Sequence, residues 1–417
     1  MSQTHWQLVE SPLVRAAVDF GGAPVESSPQ MLQQTLHAIR RHLGMEAAFI
    51  SELHGGKRTF RYVDQDGDLP ILHAGGSGDA EESYCKRVID GRLPELITNA
   101  VDLPAACELL ATFDLPIGAH MSVPIRFSDG RVFGTLCCFD RKADESLNER
   151  DLGLMRVLAE FVAAQLERQQ QALDLHRERH ERVRAVLDHK RFHMVLQPIV
   201  ELAAERPAGY EALARFDAEP EQSPPQWISD AASVGLAVDL ELALMGEALK
   251  VLEDLPVDIY LSLNVSPQVI RSGRLEALLR RYPLERIVLE ITEHDAVEDY
   301  QALSADLASL RADGLRLAID DAGAGHASFR HITRLRPEII KLDRSLVDGI
   351  STRAELRALA VALARFAVEV GGTVIAEGVE TEHDRDVLRE IAVDKAQGYL
   401  FGRPRPIPEY RFAHTQA

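Results

Sequence analysis

Polar residues close six short, β-rich segments in the second half of the sequence. Each could bind a metal ion or carry a proton, and any single one is explained as an ordinary polar group at a strand end. The same pattern in six segments is better explained by one shared site. The residues are Glu211, Asn264, Glu290, the pair Asp320 and Asp321, Lys341 and Glu377, with Gln397 before the final aromatic run.

The chemistry of this set favours divalent metal ions. Carboxylate and amide oxygens are the hard ligands that suit Mg²⁺ or Mn²⁺. The absence of histidine from the set argues against zinc. The five carboxylates carry five negative charges, which two divalent ions and Lys341 would balance. We therefore expect a metal pair to compensate the adjacent acids Asp320 and Asp321, and such a pair is the usual device for phosphoester hydrolysis.

The elements that must position these residues alternate between strands and helices. The strand candidates are HMVLQPIV, AGYEALARF, IYLSLNV, RIVLEIT, LRLAID, IIKLD, TVIAE and KAQGYLF, with helices expected at residues 239–255, 300–313 and 354–369. This alternation predicts a (β/α)8-type barrel of the TIM class, with a doubly wound sheet as the alternative. In a barrel the carboxyl ends of the strands meet at one mouth, where active sites lie.

The first part of the chain has a different organisation. Residues 1–150 read as an α+β domain with a helix at residues 29–43, a strand at residues 47–53 and a hairpin around an Asp-Gly turn at residues 121–140. Residues 148–190 read as one long helix that connects the two domains. Its apolar seam of Met155, Leu158, Val162, Leu166 and Leu173 would pair with a second copy or pack on its own domain.

Composition limits the classes of function. The chain has 417 residues, 46% of them apolar, and a net charge of −19, which disfavours nucleic-acid polymers as partners. We expect no signal peptide, no membrane span and a cytoplasmic location. The four cysteines lack CxxC spacing and are expected to be reduced, small apolar residues.

Residues 192–410 resemble the EAL-domain family of cyclic-di-GMP phosphodiesterases. The resemblance rests on LQPIV, YEALAR, LNVSP, LEITE, IDDAGAG, IKLD, AEGVE and QGYLFGRP, which occur in the family's order. It implies a modified TIM barrel that opens cyclic di-GMP to linear 5′-pGpG with two Mg²⁺ or Mn²⁺ ions.

The resemblance also implies a role for each matching residue. Glu211, Asn264, Glu290 and Asp320 would bind the first metal, Asp320 would bridge, and Asp321 with Glu377 would bind the second; Glu211, Lys341 and Glu377 form the catalytic set. Lys341 would orient or deprotonate the attacking water, Gln397 would position water or substrate, Arg215 would hold a phosphate oxygen, and Gln197 would touch the substrate. Glu293 would brace the loop after Asp321.

That loop departs from the family pattern DDFGTGYSSL. Here it reads DDAGAGHASF, so Ala322, Ala324 and His326 replace an aromatic residue, a threonine and a tyrosine. Both acids and both glycines remain. We expect the metal ligands to be intact and the loop to be less firmly anchored, which bears on rate and on coupling within a dimer.

Residues 25–168 more weakly resemble GAF domains, which are small-molecule sensor modules. The resemblance rests on LGMEAAFISEL, SYCKRVIDGRLPELITNA and SVPIRFSDGRVFGTLCCFD. The expected organisation is a GAF-like sensor domain with an N-terminal extension at 1–150, a signalling helix at 151–190 and an EAL barrel at 191–417. The GAF resemblance implies a homodimer. Its GAF-like domain would regulate the barrel and would bind an unknown small molecule or no ligand. The alternative function is a catalytically silent cyclic-di-GMP receptor.

Overall fold

The computed structural model describes residues 28–67, 72–292, 296–323, 328–407 and 410, and it divides into two units. The first unit is Met1–Leu175 and the second is His176–Ala417. The boundary falls inside the predicted connecting helix at residues 151–190. Three residues named above, Glu293, Ala324 and His326, lie outside the described residues.

The first unit is built on a six-stranded antiparallel sheet of order β3-β2-β1-β6-β5-β4. Its elements are α1 (Ser28–Leu43), β1 (Ala47–His54), β2 (Lys57–Gln65), β3 (Ser77–Asp79), α2 (Tyr84–Ile89), β4 (Leu96–Ile97), a 3₁₀ turn (Ala100–Asp102), α3 (Pro104–Cys107), α4 (Ala111–Asp114), β5 (Ala119–Arg126), β6 (Val132–Asp140) and α5 (Glu149–Asp188).

Two hydrophobic layers cover the two faces of this sheet. One layer joins α1 and the first half of α5 to the sheet through residues such as Leu36 and Met155. The other joins the short helices α2 to α4 to the opposite face through residues such as Tyr84 and Leu109. The β5–β6 hairpin forms as predicted around Gly130, whose positive φ of 84° suits the turn.

The helix α5 is continuous over 40 residues. Met155, Val162 and Leu166 are buried in the core of the first unit, and Leu158 packs against it. Leu173 remains 59% exposed. The apolar seam therefore packs mainly on its own domain, and only its last member is left without such packing.

The second unit contains a closed barrel. Its elements are β7 (Phe192–Glu201), β8 (Arg206–Phe216), α6 (Pro224–Ser233), α7 (Ala237–Leu249), a 3₁₀ turn (Lys250–Glu253), β9 (Tyr260–Asn264), α8 (Pro267–Arg271), α9 (Leu275–Leu279), a 3₁₀ turn (Leu284–Arg286), β10 (Ile287–Thr292), α10 (Tyr300–Ala312), β11 (Arg316–Ala322), α11 (Ser328–Leu335), β12 (Ile339–Leu342), α12 (Arg344–Val347), α13 (Ala354–Glu369), β13 (Thr373–Ala376), α14 (Glu382–Glu390), β14 (Lys395–Gln397) and β15 (Arg405–Pro406).

Strand pairing confirms the barrel over the doubly wound sheet. Strands β8 to β14 are parallel neighbours in sequence order, and β14 also pairs with β7, which closes the ring. All eight predicted strand segments form. The modification of the TIM plan is that β7 runs antiparallel to both β8 and β14. Strand β14 is shorter than the predicted run KAQGYLF, because the backbone turns at Gly398.

No helix among the described residues is long and apolar enough to cross a membrane.

Candidate active site

The polar residues singled out in the sequence lie at the carboxyl end of the barrel. The parallel pairing of the barrel strands accounts for this placement, because it brings the carboxyl ends of neighbouring strands to the same end of the barrel. Asn264 on β9 pairs with Glu290 on β10, and Glu211 on β8 pairs with Ser262 on β9. The same edge of the sheet carries Asp320, Lys341 and Gln397.

Lys341 is the centre of the cluster and is fully buried. Its ammonium nitrogen lies 2.7 Å from Glu377 Oε1, 2.9 Å from Glu290 Oε2 and 3.0 Å from Asp320 Oδ1. It lies 3.7 Å from Glu211 Oε2. The charge balance drawn from the sequence counted Lys341 beside two metal ions, and in the structure Lys341 lies in direct contact with these acids.

One ammonium group cannot balance four carboxylates, and the proton affinities of the cluster reflect this. Burial raises the pKa of Glu290 to about 8, because it disfavours the charged form more than Lys341 favours it. Burial likewise raises the pKa of Glu377 well above its usual range. Burial alone would lower the pKa of Lys341, but Asp320, Glu211, Glu290 and Glu377 together raise it well above its ordinary value.

A local irregularity in β11 turns both aspartates toward the site. Adjacent residues of a regular strand point to opposite faces. Here the pairing with β12 shifts between Ile319 and Ala322, and Asp321 adopts a left-handed φ of 55°, which aspartate tolerates better than most residues. As a result, Asp320 and Asp321 line the same cavity, with Glu377.

Two side-chain amides, those of Gln397 and Asn264, hold the carboxylate of Glu211, and the amide of Gln197 holds Gln397 in turn. Gln397 Nε2 donates to Glu211 Oε2 at 2.5 Å and to Gln197 Oε1 at 3.1 Å. Asn264 Nδ2 donates to Glu211 Oε1 at 3.2 Å. Gln197 in turn donates to the carbonyl of Gly402 at 3.3 Å. The orientation of Glu211 is therefore set from two sides by β9 and β14.

The donor set fits a pair of hard cations. Glu211, Glu290 and Asp320 bring carboxylate oxygens within 4.8 Å of one another, and so do Asp320, Asp321 and Glu377. The two groups share Asp320. Oδ1 of Asp320 is buried and accepts no hydrogen bond of good geometry from the described residues, although the ammonium group is nearby. The acidic cluster could therefore hold metal.

Comparison with known proteins places this half of the chain in a family. Residues 180–404 match the family model described as the EAL domain. The chain belongs to the EAL-domain family. Residues 25–167 match the family model described as a GAF domain.

Curated relatives match over the EAL domain. The chain is 31% identical over 229 residues to "Probable cyclic di-GMP phosphodiesterase PdeD" and 30% identical over 240 residues to "Probable cyclic di-GMP phosphodiesterase PdeN", both from Escherichia coli strain K12. These alignments cover 52% and 55% of this chain, and 42% and 46% of the relatives. The chain thus matches under half the length of either relative.

Solved structures show the same fold. "Structure of EAL Enzyme Bd1971 - cAMP and cyclic-di-GMP bound form" is similar with a TM-score of 0.53 at 20% identity, covering 87% of this chain and 91% of that chain. The Xanthomonas citri FimX EAL domain, solved in complex with c-diGMP, has a TM-score of 0.52 at 20% identity, covering 58% of this chain and 100% of that chain.

Arg215, unlike Gln197 and Gln397, does not line the acidic cavity of the EAL domain. Its guanidinium donates to the carbonyl of Ala214 at 2.7 Å. It lines a neighbouring, mostly apolar cavity of about 760 Å³ together with Asn264 and Thr292. The assignment of Arg215 to a phosphate oxygen stays a prediction.

Two residues that the sequence did not indicate support the acidic cluster around Lys341. Ser262 Oγ donates to Glu290 Oε1 at 2.5 Å and is buried. Glu241, buried on α7, accepts the backbone N–H of Ser266 at 2.8 Å, two residues after Asn264. The signal for Ser262 was its place in LSLN, two positions before Asn264 on the same strand face. Glu241 gave no such signal, because its contact is between elements distant in sequence.

The mouth of the acidic cavity, about 300 Å³ in volume, is lined by further residues that the sequence did not single out. Arg344 and Glu380 form an ion pair of 2.9 Å, and the guanidinium of Arg403 lies 4.1 Å from the ring centroid of Tyr399. Tyr399 is about half exposed at this mouth. An aromatic ring there offers a surface on which a planar group can stack.

Proposed function

We propose that the EAL barrel hydrolyses cyclic di-GMP to linear 5′-pGpG. The observation that carries the proposal is the cluster of Glu211, Glu290, Asp320, Glu377 and Lys341 at the carboxyl end of the barrel. Family membership and the printed names of the curated relatives support the same substrate.

We assign the metal-binding residues by the two carboxylate groups. Glu211, Asn264, Glu290 and Asp320 would hold one Mg²⁺ or Mn²⁺ ion, and Asp320, Asp321 and Glu377 would hold the other. When bound, such ions lower the pKa of a coordinated water and stabilise negative charge on phosphate oxygens. Asn264 contributes an amide beside Glu211 without adding negative charge.

The protein groups then orient the reacting atoms. Lys341 donates an N–H to the attacking water, and Gln397, held by Glu211 and Gln197, positions the water or the substrate from the β14 side. The water oxygen forms a bond to phosphorus, the bond from phosphorus to the 3′-oxygen breaks, and the proton ends on the 3′-hydroxyl. Arg215 would hold a phosphate oxygen once substrate enters the neighbouring cavity.

Incubation of the purified full chain with cyclic di-GMP and Mg²⁺ or Mn²⁺ tests the proposal. We expect linear pGpG to accumulate, and a chelator or the substitution Glu211→Ala to stop it. Glu205→Ala is the matched control, because Glu205 is an exposed acid on the turn before β8 and pairs with Arg389 on the surface.

The alternative is a catalytically silent cyclic-di-GMP receptor. Tight binding of cyclic di-GMP without any linear product under either metal would overturn the phosphodiesterase in favour of that receptor. If the protein neither binds nor cleaves cyclic di-GMP, that result contradicts both the phosphodiesterase and the receptor.

We further propose that the GAF-matching unit regulates the barrel within a homodimer. The exposed apolar residues Val157 and Leu173 on α5 support this, because their side chains are 63% and 59% exposed. Leu173→Glu is expected to shift the chain from dimer to monomer in light scattering and to change its activity. Gln171→Glu adds the same charge at an exposed position and should leave both unchanged. A monomeric wild-type chain would remove the proposal.

A further inference from the structure

Two buried thiols are in contact inside the first unit. Cys85 lies on α2 and Cys137 on β6, and their sulfur atoms are 3.7 Å apart. Both side chains are buried and neither cysteine is in a disulfide. This contact links the short-helix layer directly to the sheet.

Strand geometry separates this pair from the other two cysteines. Cys138 follows Cys137 in the sequence but points to the opposite face of β6, where its sulfur lies 3.9 Å from Met155 Sδ. Cys107 lies near the carbonyl of Val101, at 3.5 Å. Of the four cysteines, all of which are described, only Cys85 and Cys137 have their sulfurs in contact.

The surroundings of the pair are polar, unlike those of Cys138. Ser122 Oγ and Thr135 Oγ1 lie 3.1 Å and 3.0 Å from the sulfur of Cys137. Ser51 Oγ is 2.9 Å from Thr135 Oγ1. These hydroxyls give the sulfur of Cys137 polar partners, whereas the sulfur of Cys138 contacts a thioether.

The pair is asymmetric in its proton affinity. The hydrogen bond from Cys137 lowers the pKa of Cys85 to about 6, with help from the hydroxyls of Ser51 and Thr135. Burial raises the pKa of Cys137 well above its usual range. Burial also raises the pKa of Cys138, which has no comparable hydroxyl partner among the described residues, well above its usual range. One thiolate and one adjacent thiol is the arrangement that a dithiol oxidation requires.

We propose that Cys85 and Cys137 are a redox site that closes to a reversible intramolecular disulfide when the protein meets hydrogen peroxide. The Cys85 thiolate attacks one peroxide oxygen, the O–O bond breaks, and Cys85 sulfenic acid and hydroxide form. The Cys137 sulfur then attacks the Cys85 sulfur, the S–O bond breaks, and the Cys137 proton leaves with the hydroxyl as water. The two sulfurs are oxidised by two electrons in total and the peroxide is reduced.

A disulfide bond is about 2.05 Å long, so the two sulfurs, 3.7 Å apart in the reduced pair, must approach by roughly 1.7 Å. Because both thiols are buried, we expect a small peroxide to reach them more readily than a bulky thiol reagent. The proposal does not rest on the function of the barrel.

The test exposes the full-length chain to hydrogen peroxide, blocks free thiols under denaturing conditions and maps disulfides by mass spectrometry without reduction. We expect one cross-link, between the peptides that contain Cys85 and Cys137, a loss of two hydrogens from the intact mass, and reversal by dithiothreitol. Cys85→Ser should abolish the cross-link, whereas Cys107→Ser and Cys138→Ser should retain it.

Three outcomes would overturn the proposal. They are a Cys137–Cys138 cross-link, free Cys85 and Cys137 thiols after peroxide exposure, and accumulation of sulfinic acid on Cys85 without a disulfide. The wild-type peptide map decides among these even where Cys85→Ser does not fold. Circular dichroism before and after exposure ensures that the cross-link forms in the folded chain.

Discussion

At the scale of single residues, the main feature is a buried lysine at the centre of the acidic cluster. Lys341 contacts four carboxylates and has no exposed surface. Breaking a buried ion pair by removing one partner is costly, because the remaining charges have no compensation. The residue therefore contributes to the stability of the cluster as well as to the proposed orientation of water.

Lys341→Met keeps the volume and removes the charge. In chelator we expect the free energy of unfolding to fall by about 3 kcal/mol, as for other broken buried pairs. Mn²⁺ should recover much of that loss, and turnover of cyclic di-GMP should be nearly abolished. Urea unfolding with and without metal measures this.

Lys250→Met is the matched control, because Lys250 pairs with Glu247 at the surface. Its stability should stay within about 0.5 kcal/mol of wild type. Full turnover in Lys341→Met would remove Lys341 from the mechanism.

Ser262→Ala tests the hydrogen bond to Glu290. Loss of one buried donor costs about 1 kcal/mol or more, so we expect kcat to fall roughly five- to tenfold. Ser272→Ala removes a hydrogen bond of similar length, 2.6 Å to the carbonyl of Val269, that does not reach the site. Steady-state kinetics should separate the two variants; equal rates would contradict a supporting role for Ser262.

At the scale of elements, the site depends on two backbone features, the irregularity in β11 and the turn after β9. Gly323 follows the two aspartates with φ of 107°, and a Cβ there would lie 2.3 Å from Leu346 Cδ1. The turn after β9 is held by Glu241 from α7, and Ser266 in that turn caps α8 by accepting from the N–H of Val269. A helix thus positions the loop that directly follows Asn264.

Glu241→Gln tests this support. The substitution weakens a charge-assisted hydrogen bond, so we expect stability to fall by about 1.5 kcal/mol and kcat to fall severalfold, with metal affinity reduced through Asn264. Glu247→Gln on the same helix is the control, since the carboxylate of Glu247 accepts a hydrogen bond from Lys250 at the surface. Calorimetric titration with Mn²⁺ gives the affinity, and an unchanged affinity together with unchanged kcat would contradict the proposal.

At the scale of the whole molecule, the two units should respond to different solution conditions. Metal ions bound to the native carboxylates of the barrel would stabilise that unit by mass action. The first unit instead contains His120, buried against Tyr84, with a ring centroid distance of 4.5 Å. Burial lowers the pKa of His120 to about 3.

This shift predicts a loss of stability in acid. Above pH 6.5 the histidine is neutral in both the folded and the unfolded chain, and the contribution to stability is fully present. Between pH 6.5 and 3 only the unfolded chain binds the extra proton, so stability falls by up to about 1.4 kcal/mol per pH unit. Between pH 7 and 5 the loss amounts to about 2 kcal/mol.

Differential scanning calorimetry of wild type and His120→Gln across pH 7 to 5 measures the effect. The variant should lose stability less steeply in acid, and Mn²⁺ should leave this difference unchanged. His54→Gln is the control, because His54 is exposed at the end of β1. Parallel pH profiles for all three chains would show that His120 is not responsible.

The sequence by itself determined the secondary-structure elements and which polar residues close the strands. Hydrophobic periodicity depends on local geometry, so the eight strand segments, the long helix and the β5–β6 hairpin were readable from residue order. Polar residues at strand ends are also a local pattern, and Glu211, Asn264, Glu290, Asp320, Lys341 and Glu377 followed from it. The carboxyl-end rule then places them together.

Only the tertiary structure decided which side chains compensate one another. The contacts of Lys341 with four carboxylates, of Glu241 with Ser266 and of Cys85 with Cys137 join elements far apart in sequence, so no local pattern encodes them. The antiparallel first strand and the left-handed Asp321 likewise depend on how the barrel closes. Local sequence sets which elements form, whereas the distance between two buried charges is fixed only when those elements pack.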